Sequence, residues 1–123
     1  DRAVIRATGE KPVLARTPSG AYNNLAVSTI ENGGKACIQW SVDGLDYIET
    51  TQNEIYERVV PKTKAGDIIL LHNGTELTAK ILPEILKGLK SNYRLVNVSD
   101  LIYKEFFTID HTGRQYSVRS SQI

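Results

Sequence analysis

Four side chains in this sequence could act together on a proton. Arg16 sits in Arg16-Thr17-Pro18-Ser19-Gly20, Asp43 and Asp46 in Asp43-Gly44-Leu45-Asp46-Tyr47, and His72 closes Leu70-Leu71-His72. An imidazole changes charge near neutral pH, so it can give or take a proton during a reaction. A neighbouring carboxylate would fix the ring, and a guanidinium would hold a carboxylate ionised. Each residue also has a structural reading. A histidine after an apolar strand is commonly a hydrogen-bonded strand terminator. Asp43-Gly44 alone is a turn dipeptide, and Arg16 could simply bridge to Asp43. Tyr22, Trp40 and Tyr47 read as packing residues rather than stacking platforms, and Cys37, between apolar neighbours, reads as an inert core residue.

Placement is what distinguishes the four. Short apolar runs at residues 13–15, 36–40, 68–71 and 95–98 have the length of buried strands. Residues 68–71 are apolar at every position, which fits a strand covered on both faces in a parallel sheet. Helical patterns lie between the runs. Asn23 or Asn24 is placed to cap a helix that carries Leu25, Val27 and Ile30 and stops at Gly33. Thr51 or Asn53 opens a second with Ile55 and Val59, ended before Pro61. Leu77, Ile81, Ile85 and Leu89, with Leu82 and Leu86 beside them, form the stripe of a third, and Pro83 inside it predicts a kink or a restart.

Strand and helix alternating in this way predict an α/β fold of right-handed βαβ units. Sites in such folds form at the carboxyl ends of strands, and Arg16, Asp43, Asp46 and His72 all follow strand runs. Neighbouring strands would therefore deliver an arginine, two carboxylates and an imidazole to one rim. Two ends fit less well. Ala3, Val4 and Ala7 before Gly9 read as the last turns of a helix begun before Asp1, so Asp1 reads as a cut inside an element. Residues 111–123, with Tyr116 and Val118, read as a short strand or a loose tail.

Composition narrows the function classes. A chain of 123 residues is enough for one domain. With 15 basic against 14 acidic residues, a net charge of +1 and no basic run, it lacks the electrostatic footprint of a nucleic-acid binder. Its longest apolar run falls far short of the roughly 20 residues of a membrane helix. One cysteine excludes an intramolecular disulfide and a cysteine-built zinc site. The 41% hydrophobic content is that of a globular chain. The chain lacks methionine and opens on Asp1, a start that suggests processing or truncation.

Together the motifs resemble a known family. Arg16-Thr17-Pro18-Ser19-Gly20 matches the R-x-P-x-G element of the polysaccharide deacetylases, the NodB-homology or carbohydrate esterase family 4 group. Asp43-Gly44-Leu45-Asp46-Tyr47 is similar to their D-x-x-D-W element and Leu70-Leu71-His72 to their L-x-H element, in the family's order and spacing. The lead-in Thr8-Gly9-Glu10-Lys11-Pro12 and the segment Leu95-Val96-Asn97-Val98-Ser99-Asp100-Leu101 agree as well. The resemblance covers residues 1–103 and leaves 104–123 as a C-terminal extension. It implies the second half of a distorted (β/α) barrel, with about four parallel strands alternating with helices.

The resemblance also implies a chemistry. The family hydrolyses the acetamide of N-acetylated polysaccharides such as peptidoglycan or chitin, with a divalent metal, typically zinc, and works at the cell exterior or surface. His72 would be the general acid for the departing amine, and Asp46 would orient that imidazole, an anion beside it favouring imidazolium. Arg16 would keep the family's base carboxylate ionised, and the backbone N–H of Ser19 would donate to the oxyanion. Leu70, with Leu71, would line the acetyl pocket, and Tyr47 and Asp43 would face the substrate, Tyr47 standing where the family usually has Trp. The family's aspartate base and its H-[ST]-x-x-x-H metal ligands have no counterpart here. The chain is therefore expected to bind no metal of its own, to be inactive alone, and to need a missing N-terminal half as partner. Two other readings stand beside this one: a non-catalytic carbohydrate-binding or self-associating half-domain, and an O-acetyl esterase built on the same constellation.

Overall fold

Asn23, Thr51 and Thr75 each present a side-chain oxygen to the backbone N–H three residues on, and each opens a helix. These caps satisfy amide donors that a helix start leaves without partners. The computed structural model of the chain describes residues 1–118, which fall into two units. One comprises Asp1–Gln39 together with the chain from Tyr103 onward, and the other is Trp40–Ile102.

In the first unit, α1 (Arg2–Thr8) ends at Gly9, whose φ of 78° lets its N–H turn back to the Ile5 carbonyl. Strand β1 (Leu14–Ala15) leads into a 3₁₀ turn at Pro18–Gly20 and then α2 (Asn24–Asn32). Strand β2 (Ala36–Cys37) pairs with β1 in parallel, Leu14 opposite Ala36 and Ala15 opposite Cys37. This is one βαβ step, and the Asn23 cap and Gly33 stop fall where the sequence places them.

The second unit opens with β3 (Val42–Asp43), followed by α3 (Gln52–Val59), β4 (Ile69–Leu70), α4 (Glu76–Lys90) and α5 (Val98–Leu101). Strands β3 and β4 are parallel, Val42 opposite Ile69 and Asp43 opposite Leu70. Helices α3 and α4 close over them around Val42, Ile55, Val59, Ile85 and Leu89. The helices pack closely at Gly88, where a Cβ would lie 2.9 Å from the Tyr56 hydroxyl and 3.0 Å from Val60. The apolar stripe of α4 thus has a partner surface, and Ile85 is 1% exposed. Ile85→Ala is expected to cost about 2–5 kcal/mol, the range for emptying a closed aliphatic site. The check is the urea midpoint read by fluorescence of Trp40, the only tryptophan.

The structure departs from the sequence expectations at three places. Residues 95–98 form no strand: Leu95 and Val96 are exposed, and α5 begins at Val98 after Asn97 in the N-cap position. A four-residue apolar run reads alike in a strand and in a loop entering a helix, and only a pairing partner decides between them. Of the run at 36–40 only Ala36 and Cys37 form a strand, β2; β3 begins beyond the run at Val42, and the parallel strands form two pairs. Of the kink or restart that Pro83 predicts, the restart does not occur, since α4 runs through it as one helix. Pro83 and Ala79 lie on its exposed face, where water can serve the carbonyl that proline leaves unbonded.

After Tyr103 the chain forms an antiparallel hairpin of β5 (Phe107–Ile109) and β6 (Gln115–Ser117). Asp110 at its turn accepts hydrogen bonds from the Thr112 hydroxyl and from the N–H groups of Thr112 and Arg114. The Thr112 hydroxyl is the main reason its pKa is held at about 2. Of the short strand or loose tail expected over 111–123, the strand is present at Gln115–Ser117 after the turn, and residues 119–123 lie outside the described residues. Among the described residues no helix is long and apolar enough to cross a membrane.

Candidate functional site

Because β3 and β4 run in parallel, the segments that follow them emerge at the same end. Gly44 donates its N–H to the Leu70 carbonyl at 3.1 Å. A Cβ at this position would lie 2.6 Å from Leu71 Cδ2, so a side chain here would require Leu71 to shift. Asp43 then turns the chain by accepting the Leu45 N–H at 2.8 Å. Leu45 adopts φ 47°, a left-handed conformation unusual for a branched side chain. From α3, the Arg58 guanidinium holds the turn, donating to the carbonyls of Gly44 at 3.1 Å and Leu45 at 3.4 Å and to Thr50 Oγ1 at 3.0 Å.

This turn delivers Asp46 into the unit's interior, where it is 3% exposed. One carboxylate embraces one histidine: Oδ2 accepts the His72 backbone N–H at 2.7 Å, and Oδ1 meets His72 Nδ1 at 2.8 Å. A third donor, Thr78 Oγ1, reaches Oδ2 at 2.6 Å from the first turn of α4. Burial by itself pushes the Asp46 carboxyl up. The hydrogen bonds from Thr78, from the His72 backbone and ring, and from its own backbone outweigh that and hold its pKa below the ordinary value. Asp46 is therefore an anion that can only accept, so Nδ1 of His72 carries a proton. The other ring nitrogen, Nε2, has no hydrogen-bond partner among the described residues. The histidine side chain is 37% exposed while that of Asp46 is fully covered. The arrangement is a buried, fixed anion behind a partly open imidazole, and it suits proton transfer at Nε2.

The remaining candidates divide between the units. Tyr47 is 60% exposed, and its ring meets that of His72 edge-on at 5.0 Å. Leu70 is buried, and Leu71 packs against the unit's apolar core as well as against Gly44. Asp43, Asp46, Tyr47, Leu70, Leu71 and His72 thus all belong to the second unit. Arg16 and Ser19 belong to the first: Arg16 follows β1, and Ser19 sits in the 3₁₀ turn with φ 55°. Thr17 between them is buried, and its hydroxyl has no partner among the described residues.

Three contributors went unnoticed in the sequence: Arg58, Thr75 and Thr78. Thr75 carried a visible signal, a hydroxyl residue opening an apolar stripe. Arg58 and Thr78 carried none, since their partners lie 14 and 32 residues away. No group of three His, Cys, Asp or Glu side chains able to hold a metal ion occurs among the described residues. A catalytic zinc takes about three protein ligands, so the residues present do not fit one.

Known proteins share this arrangement of elements. A peptidoglycan-N-acetylglucosamine deacetylase of Bacillus cereus is 35% identical over 102 residues, covering 76% of this chain and 46% of that protein. The solved structure of the peptidoglycan deacetylase PdaC of Bacillus subtilis superposes with a TM-score of 0.72 at 30% identity, over 81% of this chain and 48% of that one. The chain belongs to carbohydrate esterase family 4, the polysaccharide deacetylases. It spans less than half the length of the curated relatives it matches. No family model matches the chain. A family 4 pseudoenzyme from Bacillus anthracis superposes with a TM-score of 0.75 at 27% identity, over 81% of this chain and 36% of that one. Family 4 therefore includes both deacetylases and a protein described as a pseudoenzyme, and membership alone does not decide activity.

Proposed function

We propose that this chain supplies the proton-donating wall of a polysaccharide N-deacetylase acting on N-acetylated glycans of the peptidoglycan or chitin type. The observation that carries the reading is the Asp46–His72 pair, with Nδ1 committed to a buried carboxylate and Nε2 left for exchange. As the acetamide C–N bond breaks, the amine nitrogen needs a proton, and Nε2 of His72 gives it. Asp46 keeps the ring oriented and offsets its charge while it is protonated. Tyr47 would stand against the sugar, Asp43 would hold the substrate-facing turn, and Leu70 with Leu71 would form the apolar seat of the acetyl methyl. Arg16 would hold a base carboxylate ionised, and the Ser19 N–H would meet the oxyanion.

The family resemblance implies a divalent metal. Its ligands would come from outside the described residues, from an N-terminal half of the same domain that would complete the (β/α) barrel. The work would be done at the cell exterior, where such glycans lie. The 123-residue chain, purified and given excess zinc, is expected to show no release of acetate from N-acetylglucosamine oligomers. Metal-dependent turnover by this chain alone would overturn the division of labour.

The likeness to a family 4 pseudoenzyme favours one other reading, a glycan-binding part that keeps these residues as packing. A parent protein that binds N-acetylated glycan yet releases no acetate with zinc, cobalt or manganese would establish that reading and remove the first.

A further inference from the structure

Thr78 occupies the third position of α4, counted from the Thr75 cap. A polar side chain at that position ordinarily reaches back to the cap residue's own N–H. Here the Thr78 hydroxyl instead turns away from its helix to Asp46 Oδ2, and the residue is 6% exposed. The direction of each proton follows from the charge at the end of the row. An ionised carboxylate has no proton to give, so Thr78 donates to it. A hydroxyl has one proton, so the Thr78 oxygen must act as acceptor toward Thr75, whose hydroxyl donates to it. Thr75 accepts in turn from the Thr78 backbone N–H, which locks the pair to the helix start. Every proton in the row Thr75, Thr78, Asp46 points at the carboxylate, and the row ends on the ring of His72.

We propose that Thr78, backed by Thr75, is a positioning residue for His72: it holds the Asp46 carboxylate in the orientation that keeps the proton on Nδ1 and leaves Nε2 as the exchanging atom. The proposal rests on the reading of His72 as proton donor. Its physical basis is rotation of the carboxylate. The terminal torsion of an aspartate is broad and has no strong preference of its own. With Thr78 in place, Oδ2 has two donors, Thr78 Oγ1 and the His72 N–H, and Oδ1 is left to the ring. Without that hydroxyl, Oδ2 keeps only the backbone N–H, and the carboxylate can swing away from the ring plane. The protonated nitrogen of a neutral imidazole is chosen by the hydrogen bond it makes, so loosening that bond releases the choice.

The test uses the intact protein that carries this chain, labelled with ¹⁵N-histidine, with the ring signals assigned by their loss in His72→Gln. Neutral His72 is expected to show the Nδ1–H form. Thr78→Val, close in shape but without the hydroxyl, is expected to give a mixture with the Nε2–H form, and Thr78→Ser to restore the original pattern. In turnover, Thr78→Val is expected to lower kcat about tenfold at unchanged KM, and Thr78→Ser to recover it to within about twofold. An unchanged Nδ1–H pattern in folded Thr78→Val would overturn the positioning role whatever the rate. A changed pattern with full turnover would keep the positioning role and remove His72 as the proton donor. If Thr78→Val does not fold, Thr78→Cys, nearly the same size with a weaker donor, carries the same expectation at smaller amplitude.

Discussion

Replacing His72 by alanine in the intact protein is expected to lower kcat about 10²–10⁴-fold, the range for removing a positioned proton donor, with KM and metal content little changed. The ring is held by its Nδ1 contact to Asp46 at 2.8 Å and is otherwise partly open. Its removal takes the donor at Nε2 and little of the packing. The His72 backbone N–H still reaches Asp46 Oδ2, so the turn into α4 keeps its anchor. A departing amine without a donor leaves as an unstable anion, and the loss is therefore expected in the chemical step. Single-turnover rates, glycan affinity and bound metal measured side by side decide the matter. Collapse of metal binding in His72→Ala, with the rate loss following from it, would show that the imidazole is a ligand and that the proton-donor role is mistaken.

Asp46→Ala is expected to be the most damaging single change to the second unit itself. It strands three donors: the Thr78 hydroxyl, the His72 backbone N–H and the His72 ring. Each lies in or beside a region closed to water, and a buried donor without an acceptor costs its full desolvation. A loss of about 3 kcal/mol in unfolding free energy is expected, since the hydrogen bonds lost act on one carboxylate and are not additive. The sign of the pH dependence follows from the lowered pKa of Asp46. The folded state prefers the ionised form, so the stability it contributes is complete above the ordinary value of 3.8 and is lost as pH falls through the lower folded value. The gap between wild type and Asp46→Ala in urea midpoint is therefore expected to be full at neutral pH and to close under strong acid. A gap that stays constant down to about pH 2, while both proteins remain folded, would show that the anion contributes no stability.

The two expectations are linked through one residue. Asp46 is at once the acceptor that ties β3, β4 and α4 together and the group that orients the ring. Activity and stability should therefore fall together in Asp46→Ala and separate in His72→Ala. The Arg58 guanidinium behind the Leu45 turn belongs to the structural side of this division, since it reaches the carbonyls of Gly44 and Leu45 and no atom of His72.

What the sequence by itself determined was local. Asn23, Thr51 and Gly33 announced the ends of α2 and α3, because a cap acts on backbone groups three or four residues away and needs nothing else. The stripe Leu77, Ile81, Ile85 and Leu89 announced α4, because helical spacing puts these residues on one side. Tertiary structure decided where partners lie far apart in the chain. It confined the strand in the run at 36–40 to Ala36 and Cys37 and left 95–98 without one, since a strand exists only where another strand is at hand to pair with it. It passed α4 through Pro83, whose cost depends on which face meets water. The site divides in the same way. Arg16, Asp43, Asp46 and His72 stood out as residue types following strand runs. That Asp46 alone is buried against His72, and that Thr78 supplies its third hydrogen bond from across the unit, came only with the fold, because an acceptor's set of donors is a property of space and not of order along a chain.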